Sequence, residues 1–201
     1  MKTRKTMLIL FAVMAVFTQC KKDNNNNNDE ETPADKSKVV EIDVHNDIIN
    51  WRYYSFEKGA EVNITNYSDT LGWDIGIHYE NFRTNGGASG IGQGAIIDLG
   101  VVNYSDVTLS SIGSSTYTLD DSITVITSTS MPPQTELTPG SVLLESMFLS
   151  PSGPPPHTYA PNNHVYIIRT ANGKHVKLIG TSFFNTSGVE GYFNFKYELL
   201  D

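Results

Sequence analysis

A run of alternating residues near the middle of the chain limits the possible folds more than any other feature. Residues 71–94 read LGWDIGIHYENFRTNGGASGIGQG. The apolar members of its first part fall on one face of an extended chain: Trp73, Ile75, Ile77 and Tyr79. This period of two predicts a half-buried β-strand. The glycines that follow permit positive φ and close backbone approach, so we expect the strand to end in tight turns.

Similar segments elsewhere predict further short strands: residues 40–44, 51–56, 61–65, 123–127 and 192–199. Near the C-terminus, residues 164–169 and 175–179 flank Asn172-Gly173, which is the strongest short signal for a β-hairpin. The best helix candidate, residues 141–149, has apolar positions that also fit a strand. We therefore predict an all-β fold, a single sandwich-like or irregular antiparallel β domain with little helix.

The N-terminus has the pattern of a targeting segment. A basic patch of Lys2, Arg4 and Lys5 precedes an apolar run over residues 7–17, which is too short to span a bilayer comfortably. Cys20, the only cysteine of the chain, follows shortly after this run. A lone cysteine in this position is typical of the acylation site of a bacterial lipoprotein, so residues 1–20 are predicted to be a lipoprotein signal peptide. The alternative is a free thiol in a peptide that is cleaved off.

The stretch after this cysteine separates the anchor from the folded part. Residues 21–38 read KKDNNNNNDEETPADKSK, a polar sequence without aromatic residues. Such a composition cannot bury enough apolar surface to order itself, so it predicts a disordered linker. Residues 39–201 are long enough to bury a core as one domain. This domain contains no cysteine and must be stabilised by packing alone.

Charge and motifs exclude several function classes. The chain carries a formal net charge of −8 and has no basic stripe in its mature part, which argues against nucleic acid as a partner. It contains no HExxH, GxSxG or Walker motif, and the glycines of residues 86–94 do not spell GxGxxG. The carboxylates are scattered without an evident acid–base pair. We predict that the protein is not an enzyme.

Three side chains are candidate ligands. Met131 precedes Pro-Pro in a polar stretch and has no apolar neighbours in sequence, which indicates an exposed loop residue. Met147 lies in an apolar run that also fits core packing. His157 lies inside the proline-rich segment 150–161, where a ligand-binding loop could present it. His78, on the polar face of the central strand, is interpreted as structural.

Three blocks of this sequence resemble the HmuY-like haem-binding lipoproteins, the haemophores of Gram-negative outer membranes. The first is Trp51-x-Tyr53-x-Ser55-Phe56, and the second is WDIGIH followed by RTNGG. The third block is spread along the C-terminal part: Thr158, Tyr159, Asn163, Val165, Tyr166, Arg169, Gly173 and Lys174. The resemblance implies an all-β protein that holds haem between loops at one end through two axial side chains. It also implies delivery of the haem to a TonB-dependent outer-membrane receptor.

The resemblance further suggests which side chains bind the iron. The founding type of the family uses two histidines, one after an ITV-like strand and one just before the TY block. Here residues 123–125 are followed by Met131, and Thr158 is preceded by Met147 and His157. Members with two methionine ligands are known, so the resemblance implies Met131 and Met147 as the axial pair, with His157 as the alternative to Met147. Thioether sulfur is a soft, neutral ligand that does not titrate.

Two functions from different classes follow. The first is a lipid-anchored outer-membrane haemophore, exposed at the cell surface, that binds b-type haem reversibly and contacts the membrane only through its anchor. Proteolysis of the linker would release the domain. The second is a surface lipoprotein of the same β fold without haem binding, which serves adhesion or glycan capture. Whether two iron-competent side chains converge in one pocket separates them.

Overall fold

The computed structural model describes residues 35–149 and 158–201. In chain order the strands are β1 (Lys38–Asp43), β2 (Arg52–Ser55), β3 (Ala60–Val62), β4 (Ile75–His78), β5 (Asn81–Thr84), β6 (Ala95–Asp98), β7 (Asp121–Ser128), β8 (Gln134–Gly140), β9 (Phe148–Leu149), β10 (Ala160–Pro161), β11 (Tyr166–Arg169), β12 (His175–Phe184) and β13 (Glu190–Leu199). The α-helix α1 is a single turn, Val142–Glu145, and short 3₁₀ turns cover Tyr67–Asp69, Gly87–Ser89, Tyr104–Asp106 and Leu109–Ile112. No helix in the described residues is long and apolar enough to cross a membrane. The all-β prediction is confirmed.

Five antiparallel strands form the larger sheet, in the order β1-β13-β12-β11-β6. In β13 the apolar side chains of Phe193, Phe195 and Tyr197 are fully buried, as the alternation predicts. The predicted hairpin around Asn172-Gly173 is also confirmed, because it joins β11 to β12. Gly173 has φ of +84°, a conformation that glycine adopts without a steric penalty.

Four antiparallel strands form the second sheet, in the order β3-β2-β4-β5. Here the prediction of a half-buried strand is wrong, because every residue from Trp73 to His78 is buried. The face predicted to meet solvent carries Gly76 and His78. The side chain of Arg83 packs on Gly76, and the ring of Trp51 lies beside both residues. Alternation in the sequence predicts which face of a strand is apolar, but it does not predict whether other residues pack on the polar face.

The main core receives side chains from both sheets, which makes the domain sandwich-like. The second sheet contributes Tyr54, Ile75, Ile77 and Phe82, and the larger sheet contributes Val176, Leu178, Phe193, Phe195 and Tyr197. A buried carboxylate also links the two sheets. Asp74 accepts hydrogen bonds from the Phe56 backbone N–H at 2.8 Å and from the Ala171 backbone N–H at 3.1 Å. Burial raises the pKa of Asp74.

A smaller apolar cluster of Ile97, Val107, Val165 and Ile167 forms a second core. Lys177 of β12 helps to hold the chain there, because its Nζ donates to the Val107 carbonyl at 3.1 Å and pairs with Glu198 at 3.0 Å. The N-terminal end of the described chain is fixed to the larger sheet as well. Lys196 Nζ lies 2.9 Å from Asp35 Oδ2, and β1 begins at Lys38.

Two small two-stranded sheets complete the fold. The β7–β8 hairpin contains the strand predicted over residues 123–127, and β9 pairs with β10. The segment 141–149, the best helix candidate, forms the single turn α1 and then β9. Cys20 lies outside the described residues, as do the rest of the predicted signal peptide and most of the linker.

Candidate functional site

The β7–β8 hairpin carries Met131 in the loop between its strands. The side chain of Met131 is 92% exposed, which confirms the prediction of an exposed loop residue. One face of the hairpin packs inward through Ile123 and Val125. The other face exposes Ile126 and Leu137, which is 75% exposed. The hairpin therefore presents an apolar surface together with a thioether to its surroundings.

Met147 occupies the opposite environment. Its side chain is fully buried in the main core, where it packs against Gly180 of β12. The segment is also held by its backbone, since the Met147 carbonyl accepts from the Asn162 N–H at 2.9 Å. An exposed Met131 and a fully buried Met147 do not line one pocket in this conformation. The structure confirms core packing for Met147, and its role as an axial ligand stays a prediction.

The proline-rich segment returns to the described chain beside a cluster of aromatic rings. The Tyr159 ring centroid lies 4.7 Å from that of Phe183 and 6.5 Å from that of Tyr79. Pairing of β9 with β10 joins the two ends of this segment. His157 belongs to the part of the segment that lies outside the described residues. The described residues on either side of this segment therefore lie close to Met147, through the pairing of β9 with β10 and the Asn162 hydrogen bond.

A groove of about 320 Å³ lies at the same place. It is lined by Glu80, Asn81, Glu145, Ser146, Phe148 and Leu149. Leu149 is 57% exposed and adds apolar surface. Asn81 Nδ2 donates to Glu145 Oε1 at 2.7 Å, which fixes one carboxylate at the rim. The groove combines an apolar edge with negative charge, so it suits the hydrocarbon part of a ligand better than an anionic group.

Arg83 of β5 is a residue that the sequence interpretation missed. It is 1% exposed, and its Cζ lies 3.4 Å from the Trp51 ring centroid and 4.1 Å from that of Tyr67. Its Nη2 donates to Thr138 Oγ1 of β8 at 3.2 Å, whereas Nε and Nη1 have no hydrogen-bond partner within the described ranges. Burial lowers the pKa of Arg83. The planar guanidinium is held mainly by stacking on two aromatic rings.

The next residue, Thr84, meets a second group that the sequence interpretation missed. Asp120 Oδ2 accepts from the Thr84 backbone N–H at 2.7 Å and from Ser89 Oγ at 2.6 Å. Its other oxygen, Oδ1, accepts from Thr84 Oγ1 at 2.9 Å. Burial raises the pKa of Asp120 to about 6, despite these hydrogen bonds to the carboxylate. In the sequence, Asp120 lies three residues before the strand predicted at 123–127 and carries no signal that would reveal this environment.

Asn85 organises the glycine-rich tail. Its Nδ2 donates to the carbonyls of Thr70 and Trp73 at 2.8 and 2.9 Å, and its Oδ1 accepts from the Gly92 N–H at 3.2 Å. The Asn85 carbonyl also accepts from the Gly94 N–H at 2.7 Å. The tight turns predicted for the tail are confirmed, and they are built around Asn85, which the sequence analysis did not single out.

The histidines of the described residues, His45, His78, His164 and His175, do not form a metal centre. His78 is buried, with its ring centroid 5.1 Å from that of Trp51, and burial lowers its pKa, which agrees with a structural role. His164 pairs with Asp98 at 2.9 Å and His175 with Asp201 at 3.0 Å. Within residues 35–149 and 158–201, no group of three or more His, Cys, Asp or Glu side chains could hold a metal ion.

Comparison with known proteins gives one consistent result. The model of the HmuY protein family matches residues 47–197. None of the curated proteins matches the chain. A Bacteroides vulgatus structure, described as a candidate HmuY-like haem-binding protein, has a TM-score of 0.62 at 22% identity, covering 80% of this chain and 90% of that one.

Two further solved structures are similar. A candidate lipoprotein from Bacteroides fragilis has a TM-score of 0.61 at 20% identity, covering 82% of this chain and 90% of that one. The apo form of an HmuY analogue from Tannerella forsythia has a TM-score of 0.63 at 17% identity, covering 82% and 96%. At these identities the likeness shows a shared fold.

Proposed function

Because the chain belongs to the HmuY protein family, we propose that it is a haemophore, which captures haem through two axial side chains and delivers it to a receptor. The observation that carries this proposal is the position of Met131. Its side chain lies in the loop of the β7–β8 hairpin and is almost completely exposed, and the same hairpin exposes Ile126 and Leu137. A porphyrin would cover this apolar surface and bring its iron to a soft, neutral donor.

We propose Met147 as the second axial ligand and His157 as its alternative. Ligation by Met147 requires its side chain to leave the core, and losing the packing of a buried methionine costs about 2–5 kcal/mol. Iron coordination would have to offset that cost. His157 lies directly before Thr158 in the sequence, where the family resemblance places the second ligand, and is therefore the group to test against Met147.

Haem would be held without a covalent bond to the protein. The only cysteine, Cys20, belongs to the predicted signal peptide, and the C-x-x-C-H motif that attaches haem covalently is absent from the sequence. This supports reversible binding of b-type haem, which a carrier needs in order to release its cargo. Bound haem would supply an iron ion, which two side chains of this chain would ligate.

We also propose that the protein is anchored in the outer membrane by acylation of Cys20 and faces the cell surface. The linker would let the domain reach a TonB-dependent haem receptor, and its proteolysis would release the domain. The similarity to a candidate lipoprotein from Bacteroides fragilis supports the anchor. Several acyl chains hold a protein on a membrane firmly, whereas one chain holds it only marginally.

A haemin titration followed by absorbance tests the proposal. The protein is the full chain with Cys20→Ser, which prevents acylation. It is titrated once with oxidised haemin and once with haem reduced by dithionite. Met131→Ala, Met147→Leu and His157→Ala are titrated in parallel, with His45→Ala as a control at an exposed histidine. We expect a saturable Soret shift that is lost with Met131→Ala and with one of the other two variants.

The identity of that second variant decides between Met147 and His157. Absence of a saturable shift in either oxidation state would contradict the proposal. It would leave adhesion or glycan capture as the function to test next.

A further inference from the structure

The β7–β8 hairpin is attached to the second sheet by two consecutive residues of β5. Arg83 donates to Thr138 of β8, and Thr84 donates twice to Asp120, the residue directly before β7. Each strand of the hairpin is therefore held at its base by a different side chain of β5. Arg83 and Thr84, the first two residues of the RTNGG segment, form this junction, which the sequence does not reveal.

Asp120 also completes the hydrogen bonding along the free edge of β5. On this edge the Phe82 carbonyl accepts from the Ser141 N–H at 2.7 Å, and the Thr84 N–H donates to Asp120 at 2.7 Å. In an extended strand, the carbonyl of one residue and the N–H of the second residue after it point toward the same neighbour. The Asp120 carboxylate thus takes the place of a backbone carbonyl that an additional strand would supply.

The hairpin is closely packed at this base and exposed beyond it. Gly140 lies where a Cβ atom would come within 2.8 Å of the Phe82 carbonyl oxygen, so no larger residue fits. In contrast, residues 129–137 are exposed, Met131 among them. The orientation of the exposed half therefore depends on the contacts at the base.

We propose that Asp120 and Thr84 are positioning residues for ligand capture, because they set the direction in which the hairpin presents Met131. This inference rests on the proposed role of Met131 as an iron ligand. It assigns neither residue a contact with haem. The two residues act indirectly, by fixing the angle between the hairpin and the second sheet.

The length of the hairpin makes this angle important. The eight residues of β7 span about 25 Å at the usual rise per residue of a strand. A rotation of roughly 10° at the base would move the hairpin tip by roughly 4 Å, whereas a functional site needs its groups within about 0.5 Å of the productive geometry. Loosening of the base should therefore weaken axial ligation by Met131.

The three hydrogen bonds that Asp120 accepts indicate which substitutions would test the proposal. An ionised carboxylate only accepts hydrogen bonds and can serve all three donors, whereas the amide of Asp120→Asn turns a donor group toward some of them. Thr84→Val keeps the branched shape and removes the hydroxyl donor, and Thr84→Ser restores it. Asp121→Asn is the matched control, because Asp121 is the exposed neighbour of Asp120.

The first measurement is made without haem. In the chain with Cys20→Ser, spin labels on Thr129→Cys near the hairpin tip and on Val39→Cys of β1 report one distance distribution by pulsed dipolar spectroscopy. Both positions are exposed. We expect a narrow distribution in the parent, in Asp121→Asn and in Thr84→Ser, and a broader or displaced one in Asp120→Asn and Thr84→Val.

The second measurement is haemin affinity of the same variants without labels. We expect Asp120→Asn and Thr84→Val to bind about tenfold more weakly than the parent, the effect typical of residues that orient a ligand. Thermal unfolding shows which variants are folded. Ser89→Ala removes a single donor to Asp120 and is used in place of any variant that does not fold.

The outcomes separate the two proposals. Unchanged distances, or changed distances with unchanged affinity, would overturn the positioning role while Met131-dependent binding upholds the haemophore. Absence of haem binding in the parent would overturn the proposed function and, with it, any role of Asp120 in capture.

Discussion

Gly76 of β4 and Arg83 of β5 are register partners, and the absence of a side chain at Gly76 makes room for Arg83. A Cβ atom at residue 76 would lie 2.8 Å from Arg83 Cγ. The arginine stem therefore passes close over the glycine, and its guanidinium stacks on Trp51 and Tyr67. The WDIGIH and RTNGG segments thus form one packing unit that also holds the β7–β8 hairpin.

Gly76→Ala should destabilise the domain by about 1–3 kcal/mol, because the added methyl group overpacks a buried site. Besides Arg83, it would meet Tyr53 at 3.1 Å and Trp51 at 3.2 Å. Urea unfolding measures the change in the free energy of unfolding. Gly72→Ala is the control, since its nearest neighbour would be the Thr70 hydroxyl at 3.3 Å. Equal losses for the two variants would contradict the proposed packing.

Arg83→Lys should cost more stability than Arg83→Met. Lysine keeps a buried charge but loses the planar group that stacks on Trp51 and Tyr67, a loss of about 2 kcal/mol or more at a desolvated site. Methionine keeps contact with the rings and removes the buried charge. Denaturant unfolding at neutral pH compares both variants with the parent. A smaller loss for lysine would show that the charge, rather than the stacking, holds this residue.

Asp120 should make the protein less stable as the pH rises from 4 to 7. Its pKa is about 6 in the folded protein against 3.8 for an ordinary aspartate, so the folded state binds the proton more tightly. The resulting stabilisation is complete below about pH 3.8 and disappears as the pH rises through 6, a change of about 3 kcal/mol. Asp120→Asn should remove this dependence from unfolding measurements at pH 4.5–7.5. Parallel profiles of parent and variant would contradict the assignment, and Asp121→Asn should match the parent.

His78 should produce a dependence of the opposite sign. Burial lowers its pKa below 6.5, so on acidification the unfolded chain binds a proton that the folded protein does not accept. Stability is therefore lost as the pH falls below about 6.5. His78→Gln should flatten that part of the profile, whereas His45→Gln, at an exposed histidine, should not. The double variant of His78 and Asp120 should show neither dependence.

Met147→Leu separates packing from iron binding. Because leucine conserves the volume, we expect a loss below about 1.5 kcal/mol, against about 2–5 kcal/mol for Met147→Ala. If Met147 is an axial ligand, Met147→Leu removes the Soret change while the protein stays folded. Met131→Leu is the matched comparison, and its effect on stability should stay within about 0.5 kcal/mol because the site is exposed. Retained binding in Met147→Leu would leave His157 as the second ligand.

The features that depend on neighbouring residues could be predicted from the sequence. The alternation in β13 follows from the period of a strand, the turn at Asn172-Gly173 from glycine's access to positive φ, and the exposure of Met131 from its polar neighbours. The class of fold follows from these local preferences, because side chains that alternate in sequence must alternate between two faces.

The groups that pack on those faces, in contrast, are set by contacts between distant parts of the chain. Arg83, Thr84 and Asp120 become a junction because the register of β4 and β5 and the path of the chain before β7 bring distant residues together. The same holds for Met147, which is buried because β12 passes over it at Gly180. Burial of a polar or ligating side chain depends on contacts between segments far apart in sequence, and local periodicity carries no information about them.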